Sequence, residues 1–223
     1  MPALATWVLL LLAVVQDCSA SCITKLPSNA VALTFDACET VTPSYFDDSI
    51  LGFLLAEKIP FTLFVSGKFA QRNRDRLREL SGLDFVEIEN HSYQHILHME
   101  RLSDDAVRRE VSENEKIIQD ITGRRTRFFR FPGGNDNDRV LHVVESMHYR
   151  VVHWTFESGD PDRRETPEIL ARRVLEKTRP GSILIFHING RGWSTGQALP
   201  SIVRELKNRG YTFVKIEDAL GTK

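Results

Sequence analysis

The chain has 223 residues, which is enough for one domain with a sizeable core. Charged residues make up 26% of it and apolar residues 42%, as in an ordinary soluble globular protein. The 29 Lys and Arg residues nearly balance the 30 Asp and Glu residues, so the charge predicts no binding to nucleic acid or to a membrane surface.

The first twenty residues differ from the rest of the chain. Trp7 to Val15 is an apolar run, and Cys18-Ser19-Ala20 then offers the small residues of a cleavage site. We therefore predict a signal peptide over residues 1–20, cleavage near Ala20, and a secreted protein in the extracellular space or cell wall with no membrane span. The alternative is a membrane anchor, since the segment has no Lys or Arg, but the apolar run is short for a bilayer.

Residues 21–223 contain no repeat and no low-complexity linker, so they are predicted to form one domain. Seven short apolar runs predict strands, and the amphipathic stretches between them predict helices. The predicted strands are Val31–Phe35, Phe61–Val65, Phe85–Ile88, Phe128–Phe131, Arg150–Thr155, Ser182–Phe186 and Tyr211–Lys215. Ser44, Ser103 and Thr166 are predicted to cap helices, and Gly123 to end the helix that Ser103 begins.

Strands that alternate with helices predict an α/β fold with a parallel sheet, either a distorted (β/α)7-type barrel or an open doubly wound sheet. Polar residues follow five of the strands: Asp36, His91, Arg130, Asp160 and His187. Because catalytic groups of parallel barrels gather at the carboxyl ends of the strands, we expect these five side chains to converge. The chain has no glycine-rich phosphate-binding loop, so no nucleotide cofactor is predicted.

His91 and His95 are four residues apart. If the chain is helical there, both imidazoles lie on one face and can share a metal ion. Taken alone, the pair is equally consistent with two structural histidines.

Five stretches in order carry a resemblance to a known family: Thr34-Phe35-Asp36, His91-Ser92-x-x-His95, Arg130-x-Pro132-x-Gly134, Trp154 with Asp160, and Ile185-x-His187. Together they resemble the polysaccharide deacetylase family, carbohydrate esterase family four, whose NodB homology domain is found in chitin and peptidoglycan N-deacetylases. The resemblance implies a distorted β/α barrel over residues 21–223. It also implies metal-dependent removal of acetyl groups from an N-acetylated glycan, with Zn²⁺ as the expected ion and no protein partner.

The resemblance assigns roles to the matching residues. Asp36 would be the general base and Arg130 would hold it ionised. His187 would be the general acid, oriented by Asp160. The remaining assignments are His91 and His95 as metal ligands, the Gly133 N–H after Pro132 as oxyanion donor, and Trp154 as a wall of the substrate pocket.

The chain departs from the family where a second aspartate usually completes the metal site, because Ala37 stands there. Glu39 could supply the third ligand, Cys38 could supply sulfur, or water could fill the position. Cys38 could instead form a disulfide with Cys22, since a secreted chain matures in an oxidising compartment. The alternative functions are a catalytically impaired carbohydrate-binding member of the same fold and a hydrolase of small non-sugar amides.

Overall fold

The structure, a computed structural model, describes residues 22–221, so the predicted signal peptide lies outside the described residues. Six parallel strands form one sheet in the order β5-β4-β3-β2-β1-β6. The strands are β1 (Ala32–Ala37), β2 (Phe61–Val65), β3 (Val86–Asn90), β4 (Phe128–Phe129), β5 (Arg150–Val151) and β6 (Ile183–His187). The helices are α1 (Asp48–Ala56), α2 (Gly67–Arg72), α3 (Arg74–Ser81), α4 (Asp104–Thr122), α5 (Asp138–Glu145), α6 (Pro167–Lys177), α7 (Thr195–Asn208) and α8 (Ile216–Leu220).

The sheet curls into a half-barrel, and short bridges join its two edges. Ile23 pairs with Val152 beyond β5, and Lys25 pairs with Ser182 just before β6. The segment 22–26 therefore lies between the two edge strands and helps to close the barrel. No helix in residues 22–221 is long and apolar enough to cross a membrane.

The strands present different side chains to their two faces, because successive residues of a strand point in opposite directions. Leu33, Phe35 and Ala37 of β1 pack in the large core cluster beneath the helices. Thr34 and Asp36 alternate with them and are also buried. This alternation turns Asp36 towards the inside of the barrel at the carboxyl end of β1.

The predicted α/β barrel fold is confirmed, but the number of strands is wrong. Tyr211–Lys215 is no strand and contributes a single bridge between Phe213 and Val31. The fourth and fifth strands each span two residues, fewer than predicted. Apolar alternation marks burial on one side, and it does not require the continuous pairing that makes a strand.

Two of the predicted helix caps are confirmed and one is wrong. Ser103 accepts a hydrogen bond from the N–H of Ala106, and Thr166 caps α6 in the same way. At α1 the cap is Asp47, whose carboxylate accepts from two backbone N–H groups, and not Ser44. Gly123 ends α4 in a left-handed conformation, as predicted.

Candidate active site

The candidate site lies at the carboxyl end of the sheet. Asp36 at the end of β1 and His187 at the end of β6 are paired in the register of two adjacent strands. They border a cavity of about 200 Å³. The cavity is lined by Asp36, His95, Leu97, Gly133, Trp154, Glu157, Ser158, Gly159, Asp160, Pro161, Ile185, His187 and Arg191.

Asp36 is paired with Arg130, which comes from the loop after β4. Arg130 Nη1 donates to Asp36 Oδ1 at 2.8 Å, and both side chains are buried. The other two guanidinium nitrogens donate to main-chain carbonyl oxygens. Nε donates to that of Val152 at 3.1 Å and Nη2 to that of His153 at 3.0 Å. The guanidinium also lies over the ring of Phe64, 3.9 Å from its centroid. These contacts hold Arg130 in one orientation.

The charge state of Asp36 follows from these neighbours. Burial alone would raise its pKa, but the positive charges of His91, Arg130 and His187 and the hydrogen bond from Arg130 outweigh burial and lower the pKa to about 2. Burial lowers the pKa of His91 itself. At neutral pH Arg130 is therefore the neighbour that keeps the Asp36 carboxylate ionised.

His187 is held by Asp160, which is fully buried in the loop after β5. Asp160 Oδ1 lies 2.9 Å from His187 Nδ1, and its Oδ2 accepts from the His187 backbone N–H at 2.6 Å and from Thr195 Oγ1 at 3.0 Å. Burial acts to lower the pKa of His187, but the hydrogen bond and charge of Asp160 outweigh it and raise the pKa. Nδ1 is committed to Asp160, so Nε2 is the ring nitrogen left for exchange of a proton.

His91 and His95 lie together, although the chain is not helical there. Ser92 and His95 both have left-handed φ angles, and residues 91–98 form a loop. The Asn90 side chain accepts from Ser92 N–H, and Ser92 Oγ accepts from His95 N–H, so side chains take the place of helical backbone bonds. The two imidazole rings still approach to 4.9 Å between centroids.

The histidine pair fits a divalent metal ion. His91 Nδ1 lies 2.8 Å from the Arg130 carbonyl oxygen, to which it donates, so His91 Nε2 carries the lone pair. Neither His91 Nε2 nor His95 Nδ1 has a hydrogen-bond partner among the described residues, although both are buried. Asp36 Oδ2 lies 3.4 Å from His91 Nε2. Two buried imidazole nitrogens with no other partner are suitable donors for a transition metal or zinc.

The two residues considered as third ligands are held by other groups. Glu39 forms an ion pair with Arg72 and also accepts from Ser44 N–H. Cys38 accepts from Asn189 Nδ2 at 3.2 Å, and burial followed by the charge of Asp36 raises the pKa of its thiol to about 12. Cys38 and Cys22 are both free cysteines.

The remaining predicted pocket residues lie along one wall of the site. Pro132 begins a short 3₁₀ turn, Pro132–Gly134, and Gly133 lines the cavity. Gly134 has a φ of 67°, and a Cβ atom there would lie 2.6 Å from the ring of Trp154. The glycine therefore lets the Trp154 ring pack against the turn that carries Gly133.

Arg191 lines the cavity, and the sequence interpretation did not identify it. Its positive charge acts on Cys38, His95 and His187. It stands between Gly190 and Gly192 four residues after His187, and an arginine between two glycines after a site histidine is the signal that could have indicated it. A Cβ atom at Gly192 would lie 2.4 Å from the His187 carbonyl oxygen, so this loop has to pass close to the site.

Comparison with known proteins identifies the family. The polysaccharide deacetylase family model matches residues 24–152. A peptidoglycan-N-acetylglucosamine deacetylase of Bacillus cereus is 29% identical over 204 residues, which cover 89% of this chain and 92% of that protein. A chitooligosaccharide deacetylase of Azorhizobium caulinodans is 32% identical over 165 residues, 67% of this chain and 76% of that protein.

Among solved structures, a CE4 family pseudoenzyme from Bacillus anthracis superposes with a TM-score of 0.80 at 25% identity, over 92% of this chain and 70% of that one. The family model covers more than half of the chain, and the fold is that of the solved structures of the family. The chain belongs to the polysaccharide deacetylase family.

Proposed function

We propose that this protein is a secreted, metal-dependent hydrolase that removes N-acetyl groups from an N-acetylglucosamine-containing polysaccharide of the chitin or peptidoglycan type. The observation that carries the proposal is the pairing of Asp36 with Arg130 and of His187 with Asp160 at one cavity. The neighbours lower the pKa of one carboxylate and raise that of one imidazole, and these two groups lie on adjacent strands. Amide hydrolysis needs such a base and such an acid.

Asp36 is the proposed general base. Its carboxylate borders the cavity and is ionised through the neutral range, so it can accept a proton from a water molecule that attacks the acetyl carbonyl. Arg130 fixes the carboxylate on the side away from that water. The Gly133 N–H is the proposed donor to the oxyanion that forms.

His187 is the proposed general acid. An amine is a poor leaving group until it gains a proton, and the raised pKa of His187 favours the protonated imidazole that can supply it. Asp160 holds Nδ1, so Nε2 delivers the proton to the leaving nitrogen. Acetate and a free amino sugar are the products.

His91 and His95 are the residues that would hold the metal, through the two nitrogens that form no hydrogen bond. When bound, a divalent ion polarises the acetyl carbonyl and lowers the pKa of nearby water. Two histidines are one protein ligand short of the usual catalytic zinc site, so we propose that water completes the coordination.

The surface around the site supports a polymeric substrate. The cavity is smaller than the roughly 300–1,000 Å³ of pockets for drug-sized ligands, so it suits an acetamido group with the rest of the glycan outside. Four of the five exposed large apolar side chains in the described residues lie on loops after β1, β3 and β6: Val41, Tyr45, Leu97 and Trp193. Apolar and aromatic side chains on this rim can lie against sugar rings.

An acetate-release assay tests the proposal. N-acetylglucosamine oligomers and small acetamides are incubated with the purified protein, and acetate and free amine are measured. Release from the oligomers alone supports the proposal, and release from the small amides alone supports the small-amide alternative. Equal release of acetate and free amine is required by the chemistry.

Ala37 and the similarity to a pseudoenzyme favour a second candidate, a carbohydrate-binding member without activity. This candidate predicts binding to the polysaccharide, no acetate and no stoichiometric metal at His91 and His95. A pull-down with insoluble chitin or peptidoglycan, performed alongside the assay, separates the two candidates.

A further inference from the structure

A second cluster of possible metal ligands lies outside the cavity. Cys22, Asp136 and His153 each offer one ligand atom, and these atoms all lie within 4.8 Å of one another. In residues 22–221 this is the one group of three His, Cys, Asp or Glu side chains that meets that distance. The residues that the family resemblance assigns to the metal, His91 and His95, are not part of it.

The three side chains of the cluster already contact one another. Cys22 Sγ lies 3.2 Å from Asp136 Oδ2 and 3.9 Å from His153 Nε2, and His153 Nδ1 lies 3.5 Å from the same carboxylate oxygen. Bond lengths of zinc to sulfur, nitrogen and oxygen place tetrahedral ligands about 3.4–3.6 Å apart. One ligand atom from each of the three side chains lies within 4.8 Å of the others, so binding one ion requires the three side chains to move closer together.

The charges around the cluster also suit a cation. Burial, followed by the hydrogen bond and charge of Asp136 and the charge of Glu145, raises the pKa of the Cys22 thiol. A dication at this position would offset those carboxylates, and binding would release the thiol proton to solvent. Cys22 is half-buried and so remains open to an ion arriving from solution.

The three ligands come from three segments that shape the active site. Cys22 begins the segment that closes the barrel, and its neighbour Ile23 bonds to the main chain of Val151 and His153. Asp136 follows the Pro132–Gly134 turn. The His153 carbonyl accepts from Arg130 Nη2, and its ring lies 5.3 Å from the ring of Trp154.

We propose that Cys22, Asp136 and His153 form a second, structural site for Zn²⁺. The ion would link the barrel-closing segment to the residues after β5 whose carbonyl groups hold Arg130. The fourth position is left to water. This site is independent of the proposed catalytic ion, because it shares no ligand with His91 and His95.

Cobalt binding tests the proposal with a readout that does not depend on activity. The purified protein is titrated with Co²⁺ alone, and the absorption of a cobalt–thiolate bond in the near ultraviolet is recorded. We expect this band in the wild type, in Cys38→Ser and in the His91→Ala, His95→Ala double variant. We expect Cys22→Ser to lose it and Asp136→Asn to show weaker binding.

Thermal unfolding gives the second measurement, which remains informative if Cys22→Ser folds poorly. Zinc should raise the Tm of the wild type by several degrees and that of Asp136→Asn by clearly less. A band that is lost in Cys38→Ser and kept in Cys22→Ser would overturn the proposal, since the metal would then lie at Cys38. The absence of the band in the wild type would also overturn the proposal. The three side chains would then interact only through hydrogen bonds.

Discussion

Asp36 and His187 lie opposite each other on the adjacent parallel strands β1 and β6. Each has a buried partner of opposite charge, Arg130 for the carboxylate and Asp160 for the imidazole. The partners move the two pKa values in opposite directions, lowering that of Asp36 and raising that of His187. Neighbouring groups with separated pKa values are the usual arrangement of a catalytic base and acid.

Removing Arg130 should affect both stability and the acidic side of the pH profile. Arg130→Met leaves a buried, unpaired carboxylate, which costs about 3–5 kcal/mol of stability. Burial then meets less opposition and the Asp36 pKa rises, so kcat/KM should begin to fall at a higher pH than in the wild type. Denaturant unfolding and a pH–rate profile measure the two effects. Arg127→Met, at an exposed position nearby, is the control and should change neither.

Asp160→Asn should move the alkaline side of the profile. The raised pKa of His187 depends on the charge of Asp160, and a general acid works only while it is protonated. Without that charge the His187 pKa falls, so activity should be lost at a lower pH. An NMR titration of the His187 ring checks the same shift directly. An unchanged His187 pKa in Asp160→Asn would remove the role given to this pair.

Glu87 should make the protein less stable as the pH rises from about 4.5 to 7. Burial, then the charge of Glu217, raises its pKa from 4.5 to about 7, so the folded state keeps a proton that the unfolded chain loses. Stability present below pH 4.5 is therefore lost through this window, by on the order of 2–3 kcal/mol.

Glu87→Gln tests this by removing the titration while keeping an acceptor oxygen for the Thr62 hydroxyl. Its free energy of unfolding should exceed that of the wild type at pH 8 and should vary less between pH 5 and 8. Glu57→Gln changes an exposed carboxylate and serves as the control. A wild-type slope in Glu87→Gln would show that another group carries the pH dependence.

Ala37→Asp should couple stability to metal. Ala37 is fully buried, and a carboxylate without a partner there should cost at least about 1–3 kcal/mol. If the new carboxylate reaches the ion held by His91 and His95, added zinc should raise the Tm of Ala37→Asp by more than it raises the Tm of the wild type. Ala56→Asp, at the exposed end of α1, is the control. An equal response to zinc in all three proteins would mean that position 37 does not face the ion.

The sequence predicts the positions of those site residues that depend only on the order of the strands. Asp36 and His187 lie at the ends of strands and Arg130 and Asp160 follow strands, and parallel strands place their carboxyl ends together, so their convergence could be predicted without side-chain detail. The loop that carries His91 and His95 could not be predicted, because it is stabilised by hydrogen bonds that the Asn90 and Ser92 side chains accept and that no residue spacing reveals.

Contacts between distant parts of the chain could not be predicted. Glu39 carries the right chemistry for a metal ligand, and only the fold brings Arg72, 33 residues away, into an ion pair with it. Cys22 meets His153 across 131 residues. Pairings of this kind depend on how the barrel closes, which composition and spacing do not specify.

Acetate release from N-acetylglucosamine oligomers by the wild type, Asp36→Asn and His187→Ala tests the central claim most directly. Both substitutions remove a group that transfers a proton, and circular dichroism checks that both variants are folded. We expect release by the wild type and its loss in both variants. Release at the wild-type level from both would contradict it.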